Sequence, residues 1–463
     1  PREALPKGAG RGARGEGGFD AVIGNPPYVR QETLGEQKTY FQTHYQTFHN
    51  KADLYTYFIE KGVSFLRKNG RFGYIVANKW MRANYGTPLR KWLILHRIEE
   101  IIDFGDLPVF DQAITYPCIV IISKQQPNEV IHVTKVETLN YSDLSEYKEL
   151  NQYDVNVDSM NEDGWSLSNP TESQIVRKVS SRSVLFGDFI HNEIYYGIKT
   201  ALNDAFVIDA GIYNEIIQKE PQSLELLKPF LMGRDIKRYQ IPTSDRYLIL
   251  IPKGWTNKHK LGTKNAWNWF QNSYPAIASH LLPFAEAAQK RQDKGDYWWE
   301  LRACDYYGAF EKPKFMLPDI SLRGNFMLDM EGKYYCVNTA YIISSEDRYL
   351  LGILNSQLIT YLYKKMSSSY RGGYLRFIYQ YLVQLPIRTI DFNDPADVKR
   401  HERMVALVEN MLALHKRLAA AGSPQEKELL QRQIAYTDRE IDALVYELYG
   451  LTDEEIRIVE GGE

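Results

Sequence analysis

The stretch Phe19-Asp20-Ala21-Val22-Ile23-Gly24-Asn25-Pro26-Pro27-Tyr28 decides how this chain is interpreted. Its first six residues form a short apolar run that is compatible with a β-strand, whereas the two prolines cannot donate hydrogen bonds to a neighbouring strand. The strand is therefore expected to end at Gly24, and a stiff loop follows its carboxyl end. Because ligands bind at the carboxyl ends of strands in open α/β sheets, the sequence predicts a binding loop at residues 25–28.

The loop offers a specific set of chemical groups. The side-chain oxygen of Asn25 and the carbonyl oxygen of Pro26 are two hydrogen-bond acceptors, and Tyr28 supplies a ring for stacking. Two acceptors that face one planar NH2 group draw its lone pair out of conjugation and direct it at an electrophilic methyl group. An ordinary Pro-Pro turn is the alternative, but here the strand, the Asn, both prolines and the aromatic residue occur in order.

The loop and the segments after it resemble the gamma-class amino-methyltransferases, which modify the exocyclic nitrogen of adenine in DNA. The segments that carry this resemblance follow the loop at Lys51 to Phe58, Gly70 to Trp80, Ile101 to Gly105, Val109 to Phe110 and Cys118 to Ile122. Later segments resemble the target-recognition part of type IIG restriction-modification enzymes; they are Gly197 to Ile208, Leu227 to Lys237 and Tyr370 to Arg376. The resemblance covers nearly everything after residue 18.

The resemblance implies S-adenosylmethionine as cofactor, double-stranded DNA as partner and a flipped adenine as substrate. Residues Asn25, Pro26, Pro27 and Tyr28 are then catalytic, and Phe110 matches a second aromatic that holds the extruded base. Phe58 matches an aromatic that packs against the cofactor, with Pro27 behind it. Spacing alone would also suit Phe58 and Phe110 as ordinary core residues.

The cofactor half of such an enzyme is not evident in the sequence. Residues 10–15 fit a GxGxxG pattern, but no strand leads into them and no helix follows, so we interpret the match as false. Residues 1–18 are rich in Gly and Arg and are expected to be a flexible tail or a junction. A missing N-terminal region is expected to supply the rest of the cofactor site and possibly a nuclease. No nuclease constellation of Asp with a following Glu-x-Lys stands out in this chain.

The predicted fold class is α/β, with a partial doubly wound Rossmann-like methyltransferase sheet, a mixed α/β target-recognition domain and a C-terminal helical hairpin. Strands are expected at Arg71–Ala77, Ile98–Phe104 and Cys118–Ile122, and helices at Asp53–Lys68 and Pro88–Leu95. The expected divisions are a tail at 1–18, the catalytic half of the methyltransferase domain at 19–126, a connector at 127–182, the recognition domain at 183–392 and the hairpin at 393–463.

The hairpin is predicted from two apolar faces at helical spacing, separated by Gly422-Ser423-Pro424. The first face comprises Met404, Val405, Val408, Met411, Leu412 and Leu418, and the second comprises Leu430, Ile434, Ile441, Leu444, Val445 and Leu448. We expect this hairpin to act as a scaffold that clamps the recognition domain.

Composition is consistent with a large protein of two or three domains, since 463 residues with 44% hydrophobic and 25% charged content can bury a sizeable core. No apolar run reaches the length of a membrane span and no signal peptide opens the chain, so a cytoplasmic location is expected. The three cysteines lack zinc or disulfide spacing, and the histidine pairs lack acidic or thiol partners, so no metal is predicted.

A net charge of -2 indicates that DNA binding would use a local cleft rather than a generally basic surface. The predicted DNA-binding residues are Lys199, Lys258, Lys260, Arg371 and Arg376. Lys258 and Lys260 lie in a basic loop at residues 255–264, and the two arginines flank glycines that allow close approach to a backbone. Charge runs of this kind are more often only solvated surfaces.

Three rival functions remain open at this point. The same Asn-Pro-Pro-Tyr loop serves enzymes that methylate glutamine in protein release factors, but those enzymes need no recognition domain of this size. A second rival is a non-catalytic DNA-recognition fragment of a methyltransferase. The third is a phage-defence methyltransferase without a nuclease. Methyl transfer from added cofactor separates the second rival from catalysis.

Overall fold

The structure, a computed structural model, describes residues 17–110, 116–160, 162, 164–242, 244–260, 262–367 and 373–461. Among these, the residues up to Ser173 form one compact unit, and those from Gln174 onward form a second. The α/β fold class predicted from the sequence is confirmed, and each unit has its own sheets and its own hydrophobic core.

The first unit is built on a six-stranded sheet. Its elements are β1 (Phe19–Gly24), α1 (Gln37–His44), α2 (Tyr55–Ser64), β2 (Leu66–Ala77), α3 (Thr87–Leu93), β3 (Arg97–Asp103), β4 (Pro117–Ser123), β5 (Val130–Lys135), α4 (Leu144–Asn151) and β6 (Tyr153–Asn156). The helix α5 (Pro170–Ser180) follows and runs across the division between the units.

The strand order in this sheet is β1-β2-β4-β3-β5-β6. Strand β1 runs parallel to β2, and β3 runs parallel to β5, whereas β4 and β6 run antiparallel to their neighbours. Strand β4 shows why the sheet forms, because Cys118, Val120 and Ile122 alternate onto one face and are all fully buried. They pack in a core with Trp80 and Trp165, whose rings lie 5.1 Å apart.

Two local expectations differ from the structure. The helix predicted to reach Lys68 ends at Ser64, and Arg67 and Lys68 lie in β2 instead. Leu66 pairs with Phe19 of β1, and Arg71 pairs with both β1 and β4, so strand pairing before and after Arg67 and Lys68 outweighs their local helical preference. The sheet also continues past residue 126, where the pattern suggested a boundary, because β5 pairs with β3 and β6 pairs with β5.

The second unit contains two four-stranded sheets and helices. Its elements before residue 345 are β7 (Ser183–Leu185), α6 (Phe186–Phe189), β8 (Ile194–Tyr196), α7 (Asn203–Phe206), β9 (Val207–Asp209), α8 (Ala210–Lys219), β10 (Leu227–Leu231), β11 (Arg246–Ile249), α9 (Trp255–His259), α10 (Ala266–Ser273), α11 (Pro275–Leu281), α12 (Ala285–Gln289), β12 (Lys314–Pro318), β13 (Ile320–Ser321), β14 (Met327–Asp329), β15 (Tyr335–Cys336) and β16 (Ala340–Ile343).

The later elements of this unit are mainly helical. They are α13 (Arg348–Leu354), α14 (Gln357–Met366), β17 (Leu375–Arg376), α15 (Tyr379–Leu382), β18 (Pro386–Arg388), α16 (Pro395–Ala420), α17 (Pro424–Tyr449) and α18 (Asp453–Glu460). The sheets have the orders β15-β10-β11-β9 and β14-β12-β16-β8, and two strand pairs, β13-β17 and β18-β7, complete the unit.

The predicted helical hairpin is confirmed as α16 and α17. Their antiparallel register is seen in ion pairs between Arg400 and Glu447 and between Arg403 and Glu440. Most of its apolar residues join one large cluster with residues from as early as Ile175, whereas Leu414, Ala421 and Leu430 form a small cluster within the hairpin itself. Thus α16 and α17 are part of the body of the second unit.

Two features are absent from the described residues. No helix among them has both the length and the apolar character that crossing a membrane requires. In the same part of the chain, no group of three or more His, Cys, Asp or Glu side chains is arranged to hold a metal ion.

Candidate active site at the carboxyl edge of the first sheet

Three loops of the first unit meet at one edge of its sheet. Strands β1, β2 and β3 all end there, because β1 is parallel to β2, while β4 lies antiparallel between β2 and β3. The register brings Ala77 opposite Pro117 and Asp103 opposite Cys118 at the start of β4. The loop at residues 25–28 therefore lies where the sequence predicted, at the carboxyl end of a strand in an α/β sheet.

The Asn-Pro-Pro-Tyr loop alternates between anchored and accessible residues. Pro26 is buried and Tyr28 is half-buried, whereas Asn25 and Pro27 are exposed. The Tyr28 hydroxyl donates a hydrogen bond of 3.3 Å to the carbonyl of Ile75 in β2, which ties the end of the loop to the sheet. Asn25 is thus exposed at the start of a loop whose end is tied to β2 through Tyr28.

Tyr28 and Phe110 lie together, as the sequence predicted, but they do not form a parallel slot. Their ring centroids are 6.4 Å apart and their planes are inclined by 64°, which is an edge-to-face contact. Tyr55 from α2 also lies near Tyr28, with the two ring centroids 6.2 Å apart. In this geometry a planar ligand can stack on one ring at a time, and a sandwich between both rings requires one of them to rotate.

The tyrosines around the loop remain neutral in ordinary buffers. Burial raises the pKa of Tyr28 to about 12, and the neighbouring Cys118 thiol adds to this effect. Burial likewise raises the pKa of Tyr55 and Tyr85, whose hydroxyls are hydrogen-bonded to each other at 2.9 Å. These hydroxyls act as hydrogen-bond partners, and none of them is a proton acceptor near neutral pH.

An Asn–Asp pair supports the loop that leads to Phe110, and the sequence reasoning did not single it out. The side chain of Asn78, directly after β2, donates a 2.8 Å hydrogen bond to the carboxylate of Asp103 at the end of β3. The same carboxylate accepts a 3.1 Å bond from the backbone N–H of Gly105, which adopts a φ of 55°. The Asp-Phe-Gly sequence at a strand end is the signal that could have indicated this turn.

Phe58 is not a core residue, since 39% of it is exposed. It lies on α2, three residues after Tyr55 and four after Leu54, so all three share one face of the helix. Leu54 donates a 3.0 Å backbone hydrogen bond to Val29, and Tyr55 contacts Tyr28. An apolar ring is therefore left accessible on the helix face that borders the loop. Residues 10–15 with the GxGxxG pattern lie outside the described residues.

The predicted DNA-binding residues are distributed over the second unit. Lys199 follows β8 and pairs with Asp293 at 2.5 Å. Lys258 is exposed in α9, and Lys260, just after it, donates a hydrogen bond of 3.2 Å to the carbonyl of Thr263. Arg376 is exposed at the end of β17, whereas Arg371 lies outside the described residues.

The segment that carries Lys258 is a short helix rather than the basic loop expected from the sequence. A buried carboxylate explains this helix, because Glu300 accepts hydrogen bonds from the backbone N–H groups of Gly254 and Thr256 at 3.2 and 3.0 Å. It satisfies N–H groups at the start of α9 that the helix itself cannot satisfy. Glu300 is distant in sequence from Lys258, so no local pattern indicated it.

Comparison with known proteins gives two family matches that follow each other along the chain. Residues 3–110 match the Eco57I restriction-modification methylase family, and residues 228–387 match the TaqI-like C-terminal specificity domain.

Similar proteins support both matches. The type II methyltransferase M.BstVI of Geobacillus stearothermophilus is 24% identical, over 95% of this chain and 75% of its own length. M.PaeR7I of Pseudomonas aeruginosa is also 24% identical, over 95% and 72%. The type II restriction enzyme and methyltransferase RM.Eco57I of Escherichia coli is 22% identical, over 94% and 46%.

Among solved structures, the type IIL restriction-modification enzyme MmeI in complex with DNA shares the fold with a TM-score of 0.61 at 14% identity. The match covers 95% of this chain and 56% of MmeI, so the chain spans little more than half of that enzyme. The chain thus contains one segment that matches the Eco57I restriction-modification methylase family and one that matches the TaqI-like C-terminal specificity domain, and the relatives it resembles are type II methyltransferases.

Proposed function

We propose that this chain acts in site-specific methylation of DNA, by transfer of a methyl group from S-adenosylmethionine to the exocyclic amine of a flipped adenine. The observation that carries the proposal is the loop at residues 25–28. Asn25 is exposed at the carboxyl edge of the sheet, directly before the buried Pro26 and beside the half-buried ring of Tyr28. This arrangement offers two acceptors and one stacking surface at a single place.

The target base must first leave the double helix, because its amine is otherwise engaged in a base pair. Extrusion costs on the order of a few kcal/mol, which stacking and hydrogen bonds in the pocket offset. Tyr28 provides the stacking surface, and Phe110 completes the pocket once the tilt between the two rings closes. The amine then donates one hydrogen bond to the side-chain oxygen of Asn25 and one to the carbonyl of Pro26.

The exposed apolar groups near the loop suit the purine ring of a sulfonium cofactor. The exposed ring of Phe58 borders the loop through the helix face that it shares with Leu54 and Tyr55, and Pro27 is exposed on the loop itself. S-adenosylmethionine, when bound there, supplies the electrophilic methyl group. The chain's own part is to orient the amine. No side chain needs to remove a proton beforehand, because the nitrogen loses it readily after methylation.

Double-stranded DNA is the partner that the second unit fits. This unit contains the match to a specificity domain, and it carries exposed cationic residues in short structured segments, including Lys258 and Arg376. Such residues contact phosphates, while base edges are read by neighbouring side chains. The adenine preference rests on Asn25, since the resemblance associates Asn at this position with adenine and glutamine enzymes.

The decisive experiment measures methyl transfer from radiolabelled S-adenosylmethionine to DNA, with digestion and chromatography to identify the methylated base. Wild type should form N6-methyladenine. Asn25→Ala should lose transfer by at least about 100-fold, because a well-placed acceptor contributes several kcal/mol to the transition state. DNA affinity should stay within a few-fold of wild type.

Asn151→Ala provides a matched control. Asn151 is an exposed asparagine at the end of α4, and its side chain donates a hydrogen bond to the carbonyl of Tyr147 in the same helix. It should retain wild-type transfer. Equal activity of Asn25→Ala and Asn151→Ala would refute the role of Asn25. DNA binding by wild type without any transfer would favour a recognition function alone, and methylated cytosine would refute the adenine assignment.

A further inference from the structure

A cavity of about 300 Å³ in the second unit lies beside Lys199, and the Asn-Pro-Pro-Tyr loop of the first unit does not contribute to its lining. Its walls combine cations, aromatic rings and an amide; the lining residues that matter here are Tyr196, Lys199, Arg302, Tyr306, Tyr307 and Asn338. This volume is at the small end of ligand sites, and it suits a phosphate with its sugar better than a whole nucleotide.

The loop that carries Lys199 is held rigidly against neighbouring strands. A Cβ atom at Gly197 would lie 2.0 Å from the carbonyl oxygen of Val337, so only glycine allows the loop to approach this closely. Ile198 donates a 2.7 Å backbone hydrogen bond to Cys336. The Lys199 side chain therefore projects from a backbone that is already in place before any ligand arrives.

A buried arginine fixes the same loop from the other side. Arg291 is 6% exposed and donates hydrogen bonds to the carbonyls of Thr200 at 2.6 Å and Glu300 at 3.0 Å. Its guanidinium also lies 4.3 Å from the ring of Phe206. Arg291 thus joins the Lys199 loop to the irregular segment from which Glu300 holds α9, so the two basic segments share one support.

The cations at this cavity converge on a single carboxylate. Asp293 pairs with Lys199 at 2.5 Å and with Arg302 at 3.6 Å, and both cationic side chains remain about half exposed. Hydrogen bonding to Lys199, together with the nearby charges of Arg302 and Arg291, lowers the pKa of Asp293. Among the described residues that line the cavity, Lys199 and Arg302 are cations and none is a carboxylate, so the lining itself carries positive charge.

We propose that this cavity binds a phosphodiester of the DNA backbone through Arg302 and Lys199, with Asp293 acting as their internal counter-ion in the free protein. The proposal rests on DNA being the partner, as argued above. Tyr196, Tyr306 and Tyr307 line the cavity with rings and hydroxyls that suit the adjoining sugar and the phosphate oxygens. Asp293 holds the two cations in place but competes with the phosphate. Removal of a cation should therefore weaken DNA binding, whereas removal of the Asp293 charge should strengthen it.

The test measures DNA binding by the full chain at several salt concentrations. Fluorescence anisotropy of a labelled duplex reports the bound fraction. Arg302→Ala should weaken binding roughly three- to tenfold and reduce the slope of log K against log salt by about one. Arg302→Lys should recover most of the slope, because it restores the charge. Asp293→Asn should strengthen binding several-fold, because it removes the competing charge but keeps a hydrogen-bond acceptor.

Matched controls come from an exposed pair of the same chemistry on α17, Arg432 and Glu428, which are four residues apart. Arg432→Ala and Glu428→Gln should leave affinity and slope within about twofold of wild type, as expected for a surface pair. An unchanged slope in Arg302→Ala would overturn the phosphate site. So would weaker binding by Asp293→Asn, because it would mean that Asp293 only holds the loop.

Competition distinguishes DNA phosphate from a free anion. Inorganic phosphate at millimolar concentration should displace DNA from wild type no better than sulfate does at equal ionic strength; selective displacement would overturn the assignment to the DNA backbone. If wild type binds no DNA, this inference and the proposed function both fail. If wild type binds and methylates DNA while the Arg302 and Asp293 variants behave as wild type, only this inference fails.

Discussion

At the scale of single residues, Tyr28 combines two roles that its sequence position could not separate. Its ring faces Phe110 and Tyr55, and its hydroxyl is bonded to the Ile75 carbonyl in the neighbouring strand. The local sequence predicted an aromatic wall for a base. The hydrogen bond to β2 depends on strand pairing, and it makes the ring part of the sheet edge rather than a free side chain.

We expect Tyr28→Phe to lower kcat/KM by only about two- to fivefold, since it keeps the ring and loses one hydrogen bond of roughly 0.5–1 kcal/mol. Tyr28→Ala should lose on the order of 10- to 100-fold, because stacking on a base contributes about 1–3 kcal/mol. Methylation kinetics and the fluorescence of 2-aminopurine at the target position measure these effects. Equal losses in both variants would argue against stacking.

The pH dependence of methylation by wild type and by Tyr28→Phe provides a separate check on the role of the Tyr28 hydroxyl. Burial raises the pKa of Tyr28 to about 12, so its hydroxyl stays protonated throughout the range from pH 7 to pH 10. Wild type and Tyr28→Phe should therefore have rate profiles of the same shape over this range. A rate change with an apparent pKa near 10 that is seen in wild type and absent from Tyr28→Phe would contradict this assignment.

At the scale of elements, distant residues decide the shape of the predicted DNA-binding segments. The helix α9 begins where the Glu300 carboxylate accepts hydrogen bonds from the backbone N–H groups of Gly254 and Thr256. The same carboxylate accepts a 2.8 Å hydrogen bond from the backbone N–H of Asp296. Lys258 is therefore presented from a capped helix. Composition correctly indicated a basic segment, but its helical form depends on a carboxylate more than 40 residues away.

Glu300→Ala should destabilise the second unit by about 2–4 kcal/mol, because it leaves several buried N–H groups without an acceptor. Glu300→Gln keeps one carbonyl oxygen and should have a smaller effect. Urea unfolding followed by circular dichroism gives the stabilities. Glu286→Ala, which removes an exposed carboxylate paired with Lys290, should change stability by less than about 0.5 kcal/mol and serves as the control. A similar stability for all three variants would refute the capping role.

At the scale of each unit, packing places the hairpin in the body of the second unit. A polar cluster at this contact includes Arg238 and Arg323, from the loops that follow β10 and β13, and Asp438 and Asp442 from α17. Asp442 also accepts a 2.8 Å hydrogen bond from the backbone N–H of Gln357 at the start of α14. The hairpin is therefore held by polar contacts as well as by the shared apolar cluster.

Asp442 should make the stability of this unit depend on pH. Burial raises its pKa to about 6, despite the Gln357 hydrogen bond and the nearby Arg323 and Arg238 charges. The neighbouring Asp438 contributes to the rise. Because the folded pKa lies above the ordinary value, stability from this group is full below about pH 4 and is lost as pH rises through 6.

Asp442→Asn should therefore gain stability relative to wild type by about 1–3 kcal/mol between pH 4 and pH 8, since it keeps an acceptor for Gln357 and removes the charge. Hydrogen exchange of peptides from α17 reports on this unit alone. Glu440→Gln, at the exposed pair with Arg403, should show no such trend. A constant difference between Asp442→Asn and wild type across this range would disprove the assignment.

Local chemistry determined the parts of this protein that depend on neighbours in sequence. Two prolines after an apolar run had to end a strand, the short apolar run at residues 118–122 suited a largely buried strand, and apolar spacing on either side of residues 422–424 favoured a helical hairpin. Only the tertiary structure decided that β5 and β6 extend the first sheet, that Asp103 supports the Phe110 loop, and that Glu300 caps α9. These features depend on hydrogen bonds and pairings between segments far apart in the chain, and no local pattern of residues encodes which distant partner will satisfy a given backbone group.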